Sequence, residues 1–434
     1  MWVNIIFVLT VAHFAVATSK LDLSWSGLTK EKFFRNSNGS VSSQVEKATE
    51  LNLRGNFFDS FSDCSAYLDK LEILDLSQNN LQRFFFKCST KNNLAKLNVS
   101  HNQLPFLNDT ALTTQISNLQ VLDLSYNVLQ HITHWTFEHM KALHVLKLNE
   151  NPLNNNIDED AFKNLVSLID LDLNNISCSN FPAGLFTPLV SLRHLTLSSN
   201  PIEHLPELPA GIQVLDISRT NIISLGQIAA SHLRILRMNE MPKFECLNLT
   251  DLVNLRNLTV LSADNCPKLT SLAVQPPTED LLPELHRLSV RNCSIDRVER
   301  ELRPVMLRVS NLDLQLNPWQ CNCKTQWIVS INSMRKYSDE LRCNSPIKMR
   351  GRRLFEALDI DQYDCNDYKR LLTLWIPFGL LSLASMSAAM YFSTRAAFGP
   401  RGFRRGVTVS YSNMLTRSND DDKILEHSDI TDYP

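Results

Sequence analysis

The most regular feature of the chain is an eleven-position pattern of apolar and polar residues, shown by Leu119 to Leu129, LQVLDLSYNVL. Positions 1, 4, 6 and 11 are apolar and position 9 is Asn127. Leu122 and Leu124 enclose one polar residue, the period-2 alternation of a short strand with one buried edge. The pattern restarts at Ala48, Leu71, Leu94, Leu119, Leu143, Leu168, Leu192, Ile212, Leu233, Leu258, Leu285 and Val309, at intervals of 20 to 27 residues, after a partial first copy at Leu21, Leu23 and Leu28. One copy cannot bury its own apolar edge, so the copies make structure only when stacked. The asparagine marks where each coil leaves its strand. Backbone groups there lose their ladder partners, and a buried amide can pair with those of its own coil and of its neighbour.

The pattern LxxLxLxxNxL resembles the leucine-rich-repeat family, over residues from about 18 to 367. The resemblance implies an α/β solenoid: a curved horseshoe with short parallel strands on its concave face. The return segments agree. Phe137, Phe162 and Phe186 each lie six residues before the next repeat start, and in extracellular members of the family such a column fills the convex side of the core. The asparagine column runs through Asn56, Asn79, Asn102, Asn127, Asn151, Asn200 and Asn317 but is broken at Ile176, Thr220, Met241, Cys266 and Cys293. Ile and Met cannot supply the missing hydrogen bonds. The two shortest repeats, starting at Leu192 and Ile212, adjoin these breaks, so irregular coil geometry is expected between about 192 and 300.

The repeats end in NPWQCNC, residues 317 to 323, followed by Trp327, Cys343, Pro346, Gly351 and Cys365. This resembles the cysteine-rich C-terminal cap of extracellular leucine-rich-repeat proteins, and a cap covers the core that a solenoid end exposes. The resemblance pairs Cys321 with Cys343 and Cys323 with Cys365, where sequence alone allows three connectivities. No cysteine precedes Cys64, so residues 18 to 47 must close the other end in another way. Cys64 and Cys88 occupy nearly equal positions of successive repeats, which predicts a further disulfide. Cys178, Cys246, Cys266 and Cys293 read as buried thiols, packing as small hydrophobes.

Two apolar runs set the expected topology. Ile5 to Ala12, followed by Ala15-Val16-Ala17, has the form of a signal peptide, residues 1–17. Leu371 to Phe392 is uncharged and spans roughly 33 Å as a helix at about 1.5 Å per residue, enough for one transmembrane crossing. Arg395, Arg401, Arg404 and Arg405 follow it, which places the C-terminal side in the cytoplasm. The sequons at Asn38, Asn98, Asn108, Asn175, Asn248, Asn257 and Asn292, and all 10 cysteines, precede it, as a glycosylating and oxidising compartment requires. The expected organisation is a solenoid over 18–316, a cap over 317–367, a juxtamembrane and transmembrane segment over 368–392 and a disordered tail over 393–434, in the plasma membrane with the N-terminus outside. Tyr411 and Met414 form a Tyr-x-x-Met motif in that tail, similar to endocytic and phosphotyrosine-docking signals.

Side chains between the repeat leucines face away from the core. Position 3 carries Ile73, Val121, Val145, Val214, Ile235 and Val260, and six aliphatics in one column predict a continuous apolar patch. Position 5 carries Asp75, Asp123, Lys147, Asp172, Asp216 and Arg237. With Tyr126, the residues Val121, Asp123, Val145, Lys147, Asp172, Val214 and Arg237 form the candidate ligand face. Arg234, Arg237, Arg287 and Arg291 form a basic stripe, which either meets an acidic ligand or only balances nearby Asp264 and Glu240. LDLS is also common repeat filler. A glycan on Asn98, itself at position 5, would move binding toward later repeats. His131, His134 and His139 match no zinc motif and read as surface residues of a return loop. No catalytic constellation, cofactor motif or metal motif is present in the sequence, and 43 basic against 45 acidic residues disfavour a nucleic-acid partner.

The expectation is therefore a non-enzymatic cell-surface recognition protein, a receptor, co-receptor or adhesion molecule, binding an extracellular or membrane protein ligand. The alternative is an auxiliary subunit acting through its membrane helix. It resembles the single-pass leucine-rich-repeat subunits that modulate potassium channels, and Ala384/Ala388 and Ser385/Ala389 supply a small-residue helix face suited to homo- or hetero-association.

Overall fold

In the expected strand positions the backbone does pair. A computed structural model describes residues 19–36, 44–63, 68–86, 93–107, 111–275, 280–358 and 367–397. Thirteen three-residue strands, from Lys20–Asp22 to Asn311–Asp313, form one parallel sheet in chain order, leaving out the short strands on the opposite side of the coils. The central leucine of each strand turns inward. Leu74, Leu97, Leu122 and Leu146 are buried and aligned with one another across neighbouring strands. This is a leucine-rich-repeat solenoid, with its core between the sheet and the return segments.

The asparagine column works as its chemistry predicts. Asn127 Nδ2 donates to Leu124 O in its own coil and Val99 O in the preceding one, both at 3.0 Å, while Oδ1 accepts from Leu104 N of the preceding coil at 3.1 Å. Asn56, Asn79, Asn102, Asn151, Asn200 and Asn317 repeat this exchange and are buried. Each amide therefore completes the coil before its own.

The expected irregularity between 192 and 300 is absent from the long sheet. His194, Val214, Ile235, Val260 and Arg287 pair in unbroken register. The reason lies in what replaces asparagine. Met241 N donates to Cys266 Sγ and Cys266 N to Cys293 Sγ, each at 3.4 Å, and Cys293 N returns to Asn317 Oδ1 at 3.1 Å. The two thiols also donate, Cys266 to Met238 O at 3.4 Å and Cys293 to Ala263 O at 3.2 Å. Sulfur is a weaker partner than an amide, but it occupies the same places, and Thr220 Oγ1 donates to Ile217 O at 2.8 Å. At Ile176 the column is broken outright: Leu153 N turns to Asn151 O of its own coil at 2.9 Å.

Differences in coil length are absorbed on the opposite side. There Ser60–Ser62 pairs with Arg83–Phe85, and Cys246–Asn248 pairs with Ser271–Ala273. In Cys246–Asn248 the central Leu247 is buried and its neighbours turn out, so Cys246 is exposed, in contrast to its expected burial. Cys178, Cys266 and Cys293 are buried and free. Phe137, Phe162 and Phe186 are buried, and the first two rings lie 6.1 Å apart; each contributes about 1.5–3 kcal/mol of apolar burial.

Both ends are closed. A short helix, Lys30–Asn36, sets Phe33 edge-on against Phe58 at 5.6 Å, covering the end that lacks a cysteine-rich cap. At the other end Cys321 is bonded to Cys343, Trp319 is fully buried, and Trp319–Gln320 pairs with Cys343–Ser345. Cys323 is disulfide-bonded too; its expected partner Cys365 lies outside the described residues, as do Cys64 and Cys88.

The chain divides into two compact units, Met1–Cys365 and Asn366–Pro434. Among the described residues the second contains one helix, Asp367–Ala397, with Pro377 inside it and a stretch, Trp375–Ser393, long and apolar enough to cross a membrane. The hydroxyls of Ser382, Ser385, Ser387 and Ser393 return to carbonyls three residues back. That satisfies them without water, as an apolar surrounding requires.

Candidate functional site

The outer face of the long sheet is built from positions 3 and 5 of each coil. At position 5 the acids have a backbone task. Asp75, Asp123, Asp172 and Asp216 each accept the N–H two residues on, from Ser77, Ser125, Asn174 and Ser218, at 2.8 to 3.0 Å. Asn98 does the same for Ser100 at 3.0 Å. These are Asx turns that bend the chain out of its strand, so the recurring LDLS has a structural cause. Asp123 also meets Lys147 Nζ at 3.4 Å, and Asp172 lies beyond Lys147 in the next strand. Burial pushes the Asp172 carboxyl above the usual range and the charges of Asp170 and Asp123 add to this, against the bond from Asn174 N.

The six aliphatics of position 3 do not form one patch. Lys96 stands between Ile73 and Val121, and Asp170 and His194 stand between Val145 and Val214. What remains is a pair, Val121 and Val145, and a run of three, Val214, Ile235 and Val260, all half-buried. The candidate residues thus fall into two groups. Val121, Asp123, Tyr126, Val145, Lys147 and Asp172 share three adjacent strands or their edge; Val214 and Arg237 lie beyond the strand His194–Thr196.

Around the run of three the charge is uneven. Arg234, Arg237 and Arg287 are exposed, and among the described residues none meets a carboxylate within 4.0 Å. The acids expected to balance them are engaged elsewhere. Glu240 takes a two-pronged bond from Arg219, both contacts at 2.9 Å. Asp264 accepts from Ser289 Oγ at 2.6 Å and from Arg291 N at 2.8 Å, while the Arg291 guanidinium reaches Glu340 at 3.1 Å.

A second column runs along the edge where the chain leaves the sheet. Position 8 is left-handed in successive coils, at Gly55, Gln78, His101, Tyr126, Glu150, Asn175, Ser199, Arg219, Glu240, Asn265, Asn292 and Leu316. The fold imposes this on non-glycine residues because their N–H groups bond across coils, as His101 N does to Ser125 O and Tyr126 N to Asn149 O, both at 3.0 Å. Side chains in this column touch their neighbours. Tyr126 stacks on His101 at 4.2 Å and 8°, and Asn175 donates to Glu150 at 2.6 Å. Sequence reasoning chose Tyr126 but missed His101, although both stand at position 8 of successive repeats.

Of the sequons, Asn175, Asn257 and Asn292 are exposed and Asn98 and Asn248 half-buried. Asn98 lies on the sheet face, Asn175 and Asn292 on the position-8 edge. Asn38 and Asn108, with Tyr411 and Met414, lie outside the described residues. Two of the three clustered histidines share a partner: His131 Nε2 and His134 Nδ1 lie 3.0 and 3.1 Å from the two oxygens of Asp158. Burial would raise the Asp158 carboxyl, but these two histidines and the His134 N–H outweigh it and lower it. His139 faces Glu138 at 3.9 Å. The described residues contain no group of three or more potential ligands that could hold a metal ion.

Comparison with known proteins agrees with this construction. The leucine rich repeat family profile matches residues 92–153 and 155–202. Toll-like receptor 4 of Bos taurus is 21% identical over 373 residues, 82% of this chain and 38% of the receptor. Tsukushi of Mus musculus is 33% identical over 161 residues, 34% of this chain and 43% of that protein. The chain thus spans less than half the length of these curated relatives. Among solved structures, the mouse RP105/MD-1 complex superposes with a TM-score of 0.55 at 17% identity, covering 72% of this chain and 54% of that one. The TLR13–ssRNA13 complex gives 0.50 at 20% identity, covering 71% and 53%. By its repeats, its register and these likenesses, the chain has the fold of a leucine-rich-repeat solenoid followed by one apolar helix.

Proposed function

We propose that the chain is a membrane-anchored recognition protein at the cell surface that binds a protein ligand through the sheet face of its solenoid. The observation that carries this reading is the run Val214, Ile235 and Val260 beside Arg234, Arg237 and Arg287, whose charges no acid of the described residues neutralises. Apolar side chains flanked by free guanidinium groups suit a ligand that presents aliphatic and acidic residues together. Toll-like receptor 4, Toll-like receptor 2 and a transforming growth factor beta activator among the relatives support a receptor-like role. The basic cluster after Phe392 and the sequons before Leu371 support an outside N-terminus.

The test is proximity labelling from the intact protein on living cells, comparing the natural chain with the double variant Ile235→Asp/Arg237→Glu. At least one labelled surface or secreted protein should fall tenfold or more while surface abundance is unchanged. An identical set of labelled partners would sink the assignment to this face. Orientation is read separately, from the mass lost when intact cells are treated with a glycosidase.

A further inference from the structure

Between the last return segment and the cap lies an open cleft of about 670 Å³. One wall is the turn Arg297–Arg303 that enters the short helix Arg303–Arg308, and the other runs from Cys323 to Ser330. Val298 and Val329 are buried in its walls, and Trp327 lies half-buried against the core. Most of its charged groups are left unmatched. Arg297 meets Asp296 at 3.6 Å, but among the described residues Arg300, Arg303 and Lys324 have no ion pair, although Glu299 and Glu301 line the same cleft. Two N–H groups of its lining residues, Arg303 Nε and Trp327 Nε1, are buried without an acceptor. Buried donors are ordinarily satisfied, so unmet donors lie in the walls of a cleft whose surface carries unpaired cations.

We propose that this cleft binds a sulfated saccharide, its sulfate esters held by Arg300, Arg303 and Lys324 and its sugar ring resting on Trp327 and the two valines. Guanidinium and ammonium groups donate and do not accept, and the cations of the lining outnumber Glu299 and Glu301, which calls for a ligand whose charged part only accepts. A sulfate ester fits, being ionised at every physiological pH, and a guanidinium can bind two of its oxygens at once. The apolar wall suits the C–H face of a sugar, as mixed pockets of this kind do for small ligands. The choice of saccharide as the source of sulfate rests on the outside orientation proposed above.

The full chain, purified in detergent micelles, is titrated with a heparin-derived octasaccharide and with the same octasaccharide desulfated and re-acetylated. The sulfated probe should bind, with affinity falling steeply as salt rises, and the desulfated probe should bind at least tenfold more weakly. Arg300→Ala/Lys324→Ala should lose at least tenfold in affinity, whereas Lys163→Ala/Lys243→Ala, which removes the same charge elsewhere on the solenoid, should lose less than twofold. A thermal melt of each variant establishes that it is folded; if the first pair proves unstable, Arg300→Gln/Lys324→Gln replaces it. Equal binding by the cleft and control variants, or equal binding of both probes, overturns the proposal. Because affinity is measured on purified protein, a wrong orientation cannot mimic this failure; that reading stands or falls on the glycosidase experiment.

Discussion

Two halves of the solenoid hold their coils together by different chemistry. From Asn56 to Asn151 every coil exchanges hydrogen bonds with its predecessor through a buried amide, whereas from Met241 to Cys293 a sulfur relay does so. The strands are equally in register in both halves. Strand geometry therefore depends on the aligned leucines and the backbone ladder, and position 9 adds stability on top of a register already set. The amide makes several full-strength bonds; a thiol makes fewer and weaker ones.

The comparison is broken most sharply by deleting one member from each half. Asn127→Ala leaves Leu104 N without its acceptor in a dry interior and takes one donor each from Val99 O, Leu124 O and Ser125 O, which keep those of Asn102, Asn151 and His101, and should cost about 2–3 kcal/mol. Cys266→Ala should cost about half as much, since it forfeits weak sulfur bonds and a small volume. Urea denaturation of the two variants measures the difference, and equal losses would mean that the relay matters as much as the ladder. Converting one half into the other is the next test. Cys293→Asn should raise stability by about 1 kcal/mol, because an amide there can accept from Cys266 N and donate to Ala263 O at full strength. A loss in the same experiment would show that the sulfur coils have diverged in spacing. The side-chain hydrogen bond with Cys266 and the burial of Cys293 push that thiol well up, so no thiolate is being replaced.

The smallest effect belongs to the sheet face. The Asp172 carboxyl is raised by burial, so the folded state holds its proton more tightly than the unfolded chain. Its contribution is fully present below the unfolded value and is lost as pH rises through the folded one. Asp172→Asn keeps an acceptor for Asn174 N, as Asn98 does for Ser100 N. The variant should melt about 1–2 °C higher at pH 7 and show no gain below pH about 3.5. A melting point unchanged at both pH values would show that this carboxylate is already well solvated.

Much of this was legible in the sequence because it is written twelve times over. The leucines, the asparagine positions and the phenylalanine column each follow from one coil and are repeated in the next. The misreadings arose where one coil is not enough. The backbone task of the LDLS acids was not legible, because an Asx turn cannot be told from a free carboxylate by composition alone. Cys266 and Cys293 looked like gaps because their equivalence to asparagine appears only at the 3.4 Å approach of neighbouring coils. Cys246 was misplaced because the return segments carry no period to say which side faces in. The cleft of Arg300, Arg303 and Lys324 joins two segments whose proximity the cap creates, and no spacing announces it.

The exchange at position 9 has a direction. Leu81 N waits for Asn102, Leu104 N for Asn127 and Leu129 N for Asn151. Each of these coils is finished by a residue synthesised more than twenty positions later. A chain emerging from the ribosome can therefore close its coils in the order they are made, each arrival sealing the one before. The last arrival, Asn317, seals the coil of Cys293 and is followed at once by the cysteines that end the series.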